Sequence, residues 1–440
     1  MTHGTLWNKI LLFALPLAAS SILQQLFNSV DTAVVGRFAS SRALAAVGST
    51  SSFISLMINL FIGISLGSNV VIAHYIGQKV EKNIQAAIHT AITVALIGGC
   101  FVMILGQFIG RPVLILMGTP EDVIDLAVQY LRIYFLGMPF ILLYDFGSSI
   151  LRSTGDSRRP LYSLIVAGIL NTVLNLILVI VFQMGVAGVA IATVVSNIVS
   201  SGIVMWILMH EPEPVRFTPR KLMINGNELW KILSIGVPAG LQGMVFSLAN
   251  VCIQSTINSF GSDAVAGSAA ALNYEFFAYF IVNAFAQTTV TFTSQNYGAG
   301  EYDRCRKIFR INMTFSMVFC GLLSAVFVLG RLFFLGLYTT DASVLGYATT
   351  RLMIATTLEL LTSTYEISGG AMRGLGHSLQ PALITVFGSC VLRLIWISTA
   401  CVAVHEFWVL IIIYPISWVV TGIIMIVSYL RLRRKMLIKN

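Results

Sequence analysis

Long apolar runs alternate with short polar segments along the whole of this chain. A helix that crosses a membrane needs about 20 mostly apolar residues. Twelve windows meet that requirement, near 10–35, 50–76, 86–110, 124–150, 161–182, 187–209, 232–259, 268–296, 309–330, 345–371, 382–404 and 408–430. The pattern therefore predicts an all-α integral membrane protein with twelve transmembrane helices. The longest polar interruption, Glu211–Lys231, carries Pro212, Pro214 and Pro219 and falls between the sixth and seventh windows. It divides the chain into an N-terminal six-helix lobe (1–210), a cytoplasmic linker (211–231), a C-terminal six-helix lobe (232–430) and a basic tail (431–440).

The halves repeat each other. TGDSRRP ending at Pro160 follows Arg152, and LGHSLQP ending at Pro381 follows Arg373, so both pairs are offset by 221 residues. The same offset carries Tyr144-Asp145 onto Tyr365-Glu366 and Tyr75-Ile76-Gly77 onto Asn296-Tyr297-Gly298, while Pro16 and Pro238 match at 222. Six spans per repeat is an even number, so the repeats run in the same sense through the bilayer. Parallel repeats of this kind relate two bundles about the membrane normal, with a substrate path between them. A duplicated twelve-helix chain without extramembrane domains points to a secondary transporter.

Composition narrows the picture further. Hydrophobic residues make up 57% of the 440 and charged residues 10%, and the mean hydropathy is +0.86. Soluble domains carry about 25% charge, so this chain is solvated by lipid. A cytosolic enzyme, a secreted module and a disordered chain are excluded. The net charge of +9 does not indicate nucleic-acid binding, because Lys and Arg lie in short loops rather than on one stripe. Their distribution sets the orientation instead, since basic residues accumulate in cytoplasmic loops. With the N-terminus inside, twenty Lys and Arg are inside and four (Arg37, Arg42, Arg111, Arg331) outside. Both termini are expected in the cytoplasm and the protein in the plasma membrane. The six cysteines show no C-x-x-C spacing, which argues against a disulfide framework or zinc site. The first apolar run continues to Val35, too long for a signal peptide and fit for a first membrane helix.

No phosphate loop, H-E-x-x-H or nucleophile elbow occurs, so neither ATP hydrolysis within the chain nor enzyme catalysis is expected. The chemistry rests on ionisable residues inside the windows: Asp31, Asp145, Glu275, Glu359 and Glu366, with Arg132, Arg351 and Arg393. Such residues usually face a cavity or a partner, because each is expensive in a lone membrane helix. Gln24, Asn28 and Asp31 are spaced i, i+4, i+7 and share one helix face. A buried carboxylate with amide neighbours can hold a proton or a sodium ion, though pairing to a basic residue would be the structural alternative. Asn171 and Asn175, one turn apart, could coordinate sodium or merely pack helices together. Glu275, with Tyr274 and Phe277 beside it, offers an anionic and aromatic surface to a cation. Glu359 and Glu366 share a face, and Gln242 and Asn250 join them as candidate cavity residues. Asp145 and Glu366 lie near the cytoplasmic ends, within reach of loop arginines. Arg132, Arg351 and Arg393 are expected to anchor helices or snorkel, without a role in transport.

With these pieces in order, the sequence resembles the multidrug and toxic compound extrusion family over essentially its whole length. The matching stretches are LFNSVDTAVVG (Leu26–Gly36), ILRSTGDSRRPL (Ile150–Leu161) and Asn171-x-x-x-Asn175 followed by Gly185-x-x-Gly188 and Ala192-Thr193. In the second half they are Gly236-Val237-Pro238, SQNYGAG (Ser294–Gly300) and AMRGLGHSLQP (Ala371–Pro381). The resemblance implies two six-helix lobes arranged as a V, and export of cationic amphipathic compounds by antiport with H⁺ or Na⁺. It also implies that Asp31, Asn171, Asn175 and Thr193 belong to the ion and drug site of the first lobe, with Na⁺ as the candidate metal there and no other cofactor. Phe246 stands where the quinolone-exporter branch places a glutamate, and Thr362 near its span-ten aspartate. The chain is accordingly more similar to the DNA-damage-inducible F type or clostridial-type relatives, and the coupling ion stays open.

The expected partners are small organic cations and the lipid bilayer, not nucleic acid, with the chain acting as a monomer. The alternatives are a flippase for a lipid-linked saccharide and a major-facilitator-type porter. Five acids against three bases in the spans favour a cationic cargo over a pyrophosphate. Gly77-Gln78-Lys79 replaces the basic signature of major-facilitator porters between spans two and three.

Overall fold

A computed structural model describes residues 1–438; Lys439 and Asn440, at the end of the basic tail, lie outside them. Among the described residues every regular element is helical, as lipid requires when no water is at hand for open backbone groups. The first half contains α1 (Leu6–Phe38), α2 (Ser41–Gln78), α3 (Glu81–Leu116), α4 (Glu121–Leu136), α5 (Met138–Thr154), α6 (Arg158–Leu176) and α7 (Gly185–Met209). The second contains α8 (Gly226–Asn258), α9 (Ser262–Gly298), α10 (Tyr302–Leu329), α11 (Arg331–Gly336), α12 (Ala342–Arg351), α13 (Thr362–Gly374), α14 (Leu379–Thr385), α15 (Leu392–Ser398), α16 (Ala400–Ala403) and α17 (Phe407–Ile438). Chain reversals carry recognisable stops. Lys79 (φ 60°) and Gly155 (φ 104°) end α2 and α5 in the left-handed region, and Asp341 accepts from the amides of Ser343 and Val344 to start α12.

Ten helical stretches are long and apolar enough to cross a membrane, and α4 with α5, bent by 48°, make an eleventh. The remaining expected window, 345–371, is a helix interrupted twice, by a π-helical Leu352–Thr356 and a 3₁₀ turn at Glu359–Leu361. The two irregular windows are repeat mates: Met138 opens α5 and Glu359 opens the 3₁₀ turn, 221 residues apart. In the first half Pro139 supplies the cause, since it cannot continue the hydrogen-bond ladder of α4. The second half has no proline there.

By packing, the chain forms two compact units: Ala19–Gly240, and Met1–Ala18 together with the chain from Leu241 onward. These boundaries differ from the composition boundary at 211–231. In the first unit the start of α8 is locked to α2 by glycines. A Cβ on Gly63 would lie 2.1 Å from the Gly240 nitrogen, and one on Gly67 2.3 Å from the Ile232 oxygen. The linker is packed as well. Thr218 N donates to His89 Nε2 at 3.2 Å, Asn225 N donates to Thr90 Oγ1 at 3.1 Å, and Arg159 pairs with Glu211.

In the second unit the start of α1 contributes Ile10, Phe13, Ala14 and Leu17 to a core with Phe285, Phe292, Ile308 and Ile367. Phe13 meets Phe292 edge to face at 5.5 Å. Each repeat thus lends the first segment of its first helix to the unit built from the other repeat, and the exchange falls just beyond Pro16 and Pro238.

Candidate functional site

In the unit Ala19–Gly240 a cavity of about 300 Å³ opens between helices. From α1 come Gln24, Phe27, Asn28 and Asp31, one helix face as their spacing requires. Asn171 enters from α6, and α7 presents Thr193, Ser196, Asn197 and Ser200. Tyr134 and the pair Tyr144 and Asp145 complete the polar wall from α4 and α5. Gly168 on α6 makes this arrangement possible, since a Cβ there would fall 1.8 Å from the Phe27 ring.

Asn175 sits behind Asp31, fully buried. Its Nδ2 donates to Asp31 Oδ1, and also to Asn171 Oδ1 at 3.1 Å. Its own Oδ1 is buried without a hydrogen-bond partner. Buried acceptors are rarely left so. Asp31 and Asn171 both present oxygens to the amide nitrogen of Asn175, whose own carbonyl oxygen stays unpaired. Side-chain oxygens of this kind are what a hard cation such as Na⁺ takes, and Asp31 is the group here able to carry a proton. Among the described residues no ion pair includes Asp31, so the structural alternative of a carboxylate paired to a base does not apply to it.

The other unit holds a second cavity, of about 210 Å³, whose wall includes Asn250, Glu275, Glu359, Arg351, Arg393 and Tyr414. Here the sequence expectation needs correcting in part. Glu275 is not a free anionic surface: Arg351 donates to both its oxygens, at 2.7 and 2.9 Å, and to Ser268 Oγ at 2.6 Å. Tyr274 and Phe277 turn to another cluster, where Tyr274 donates to the Phe334 carbonyl at 2.7 Å and both pack near Phe327. Gln242 accepts from Arg373 at 2.6 Å and Glu366 from Tyr279 at 3.1 Å, both away from the cavity wall. Nor do Arg351 and Arg393 snorkel, being 2% and 1% exposed. Arg132 is exposed.

Asp145 shares the first cavity with Asp31, although its position near a cytoplasmic end suggests a loop partner. The stripe Thr193, Ser196, Asn197, Ser200 escaped sequence reasoning beyond Thr193. Its i, i+3, i+4, i+7 spacing within the apolar α7 was the available signal.

The fold and the polar cavities described in each unit define a helical membrane protein with polar sites inside its bundles. The MatE family's sequence profile matches residues 16–177 and again 238–397, and the chain belongs to that family. The two matches begin at the repeat-related prolines. The chain is 31% identical over 390 residues to the probable multidrug resistance protein YoeA of Bacillus subtilis, covering 87% of this chain and 84% of that protein. It is 21% identical to the multidrug export protein MepA of Staphylococcus saprophyticus, over 86% of this chain and 84% of that one. In fold it is similar to the outward-facing conformation of a multidrug resistance MATE family transporter of the MOP superfamily. That likeness has a TM-score of 0.91 at 23% identity and covers 99% of this chain and 97% of the other.

Proposed function

We propose that this chain is a secondary active multidrug exporter, moving cationic amphipathic compounds out of the cell in exchange for H⁺ or Na⁺. One observation carries the coupling step: Asp31, in no ion pair among the described residues, hydrogen-bonded to Asn175 and facing a polar cavity of about 300 Å³. That volume is at the lower end of the 300–1,000 Å³ common for small-molecule sites. A transporter needs a group whose occupancy favours one conformation over another. Ion-free Asp31 leaves a half-buried charge, which is costly, and a bound proton or Na⁺ reduces the cost. The names of the relatives, multidrug resistance and multidrug export proteins, support the cargo class.

Ethidium accumulation in inverted vesicles, with Na⁺ and pH gradients imposed separately, tests this. Uphill ethidium movement under one gradient is expected. Movement under neither gradient, with translocation of a lipid-linked saccharide instead, would establish the flippase alternative. We also place both termini in the cytoplasm of a plasma-membrane protein, on the strength of the basic residues. A cysteine introduced within Arg216–Lys221 should react with impermeant thiol reagents from the cytoplasmic face alone; labelling from outside would reverse the orientation.

A further inference from the structure

Where α10 begins and α17 ends, basic side chains gather with few acids to match them. Arg304, Arg306, Lys307 and Arg310 stand near the start of α10, against Glu301 and Asp303. Arg431, Arg433, Arg434 and Lys435 close α17, which has no acid along its length. The two helices meet through Phe309 and Tyr429, whose rings stack with centres 4.3 Å apart. Arg306, Arg310 and Arg433 all lie within electrostatic reach of Tyr429. Arg304 is occupied, donating to Asn296 Oδ1 at 3.1 Å and to the carbonyl oxygens of Gly4 and Met1 at 3.2 and 3.0 Å. Of the rest, Arg306 alone forms an ion pair among the described residues, with the exposed Asp303 at 3.2 Å. A surface pair of this kind contributes little. The Nε atoms of Arg306 and Arg433 are buried without a hydrogen-bond partner. A helix dipole favours cations at the end of α17 but not at the start of α10, so the α10 arginines call for another reason.

Arg310 also heads a ridge. Arg310, Thr314, Val318, Leu322 and Val326 follow at four-residue steps along α10, and all are exposed. A cationic head on a bilayer-facing apolar ridge has the layout of a phospholipid, and guanidinium forks match phosphate oxygens in geometry and charge. We propose that the surface where α10 begins and α17 ends binds an anionic phospholipid, its phosphate among Arg306, Arg310 and Arg433 and an acyl chain along Val318, Leu322 and Val326. The ridge commits the site to lipid, since a free phosphate compound would leave it uncovered. A zwitterionic lipid brings its own ammonium, which the surrounding cations disfavour, so the site selects by net charge. The inference is independent of the exporter reading, because it concerns the lipid around the chain and not the cargo.

Native mass spectrometry of the detergent-purified full chain tests it, with phosphatidylglycerol and phosphatidylcholine of identical acyl chains supplied in equal amounts. The first lipid bound should be phosphatidylglycerol by about tenfold, the scale expected of a few basic residues at a membrane surface. In Arg306→Gln/Arg310→Gln/Arg433→Gln the ratio should fall towards one. Arg431→Gln/Arg434→Gln removes charge from the same end of α17 but not from the helix face of Tyr429, and it should keep most of the preference. Equal binding of the two lipids by the wild type overturns the proposal. So does an equal loss in both multiple variants, which would reduce the preference to diffuse attraction by the basic tail. Glycerophosphoglycerol, the head group without acyl chains, should not displace the bound lipid at equal concentration; if it does, the ridge is idle and the lipid assignment falls. Should the triple variant fail to fold, Arg310→Gln decides, because its position is exposed: the ratio should fall severalfold, and an unchanged ratio overturns the site.

Discussion

A half-buried carboxylate in a membrane protein needs a neighbour that holds it without cancelling its charge, and Asn175 meets that need for Asp31. The Asn175 amide gives the carboxylate one of its two N–H donors and adds no cation, so the charge of Asp31 stays available to an incoming ion. Asp31→Asn keeps the volume and fixes the site as neutral. It should leave folding near normal and reduce gradient-driven ethidium efflux at least tenfold, while Asp31→Glu retains a fraction; wild-type efflux by Asp31→Asn would reduce Asp31 to a packing residue. The Glu275–Arg351 pair makes the opposite case, because there the charges do cancel. Breaking a buried pair by removing one partner costs about 3–5 kcal/mol, whereas replacing both is often neutral. Arg351→Met should therefore lower the melting temperature sharply, and Glu275→Gln with Arg351→Met should recover most of the loss. Helical spacing was enough to read Gln24, Asn28 and Asp31 as one face. It could not reveal that Glu275 has a partner 76 residues away on another helix, since pairing between helices leaves no local trace in one sequence.

Among the elements, α2 and α8 show how far glycine decides packing. Gly63 and Gly67 on α2 meet Gly240, Gly236 and Ile232 backbone to backbone, the close approach that small residues permit in membrane helices. Gly48, on the same α2, faces open space, with no atom within 4 Å of where a methyl group would stand. The same substitution should thus have two signs. Gly48→Ala gains helix propensity of up to about 1 kcal/mol, while Gly63→Ala forces an overpacked contact worth about 1–3 kcal/mol against the fold. Thermal melting of the purified variants checks this: Gly63→Ala should melt several degrees below wild type, and Gly48→Ala at or above it. The Gly63-x-x-x-Gly67 spacing is of the kind that lets membrane helices pack closely, but one sequence does not say which helix it meets. The broken spans were only half legible. Pro139 announces the bend between α4 and α5, whereas the turn at Glu359 has neither proline nor glycine to mark it.

At the level of the whole molecule, the apolar windows were readable because lipid demands a minimum length of each crossing, and the repeat was readable because it preserves register over 221 residues. The packing boundary was not, since the composition break at Glu211–Lys231 looks like a divider between lobes. Residues Gly226–Gly240, beyond that break, instead complete the unit made by the first repeat. A fragment ending at 210 removes them and leaves the glycine face of α2, from Leu60 to Gly67, without its backbone partner. It also strips Thr218 and Asn225 from His89 and Thr90 on α3. A fragment ending at 244 keeps all of these contacts. Expressed alone in the same membrane, residues 1–244 should give a monodisperse peak in size-exclusion chromatography and a cooperative melt, and residues 1–210 should aggregate or be degraded. Co-expression of 211–440 should rescue 1–210, because the missing segment is then supplied from a second chain. If 1–210 alone is as monodisperse and as heat-stable as 1–244, the start of α8 contributes nothing to the first unit and the boundary belongs at the linker after all.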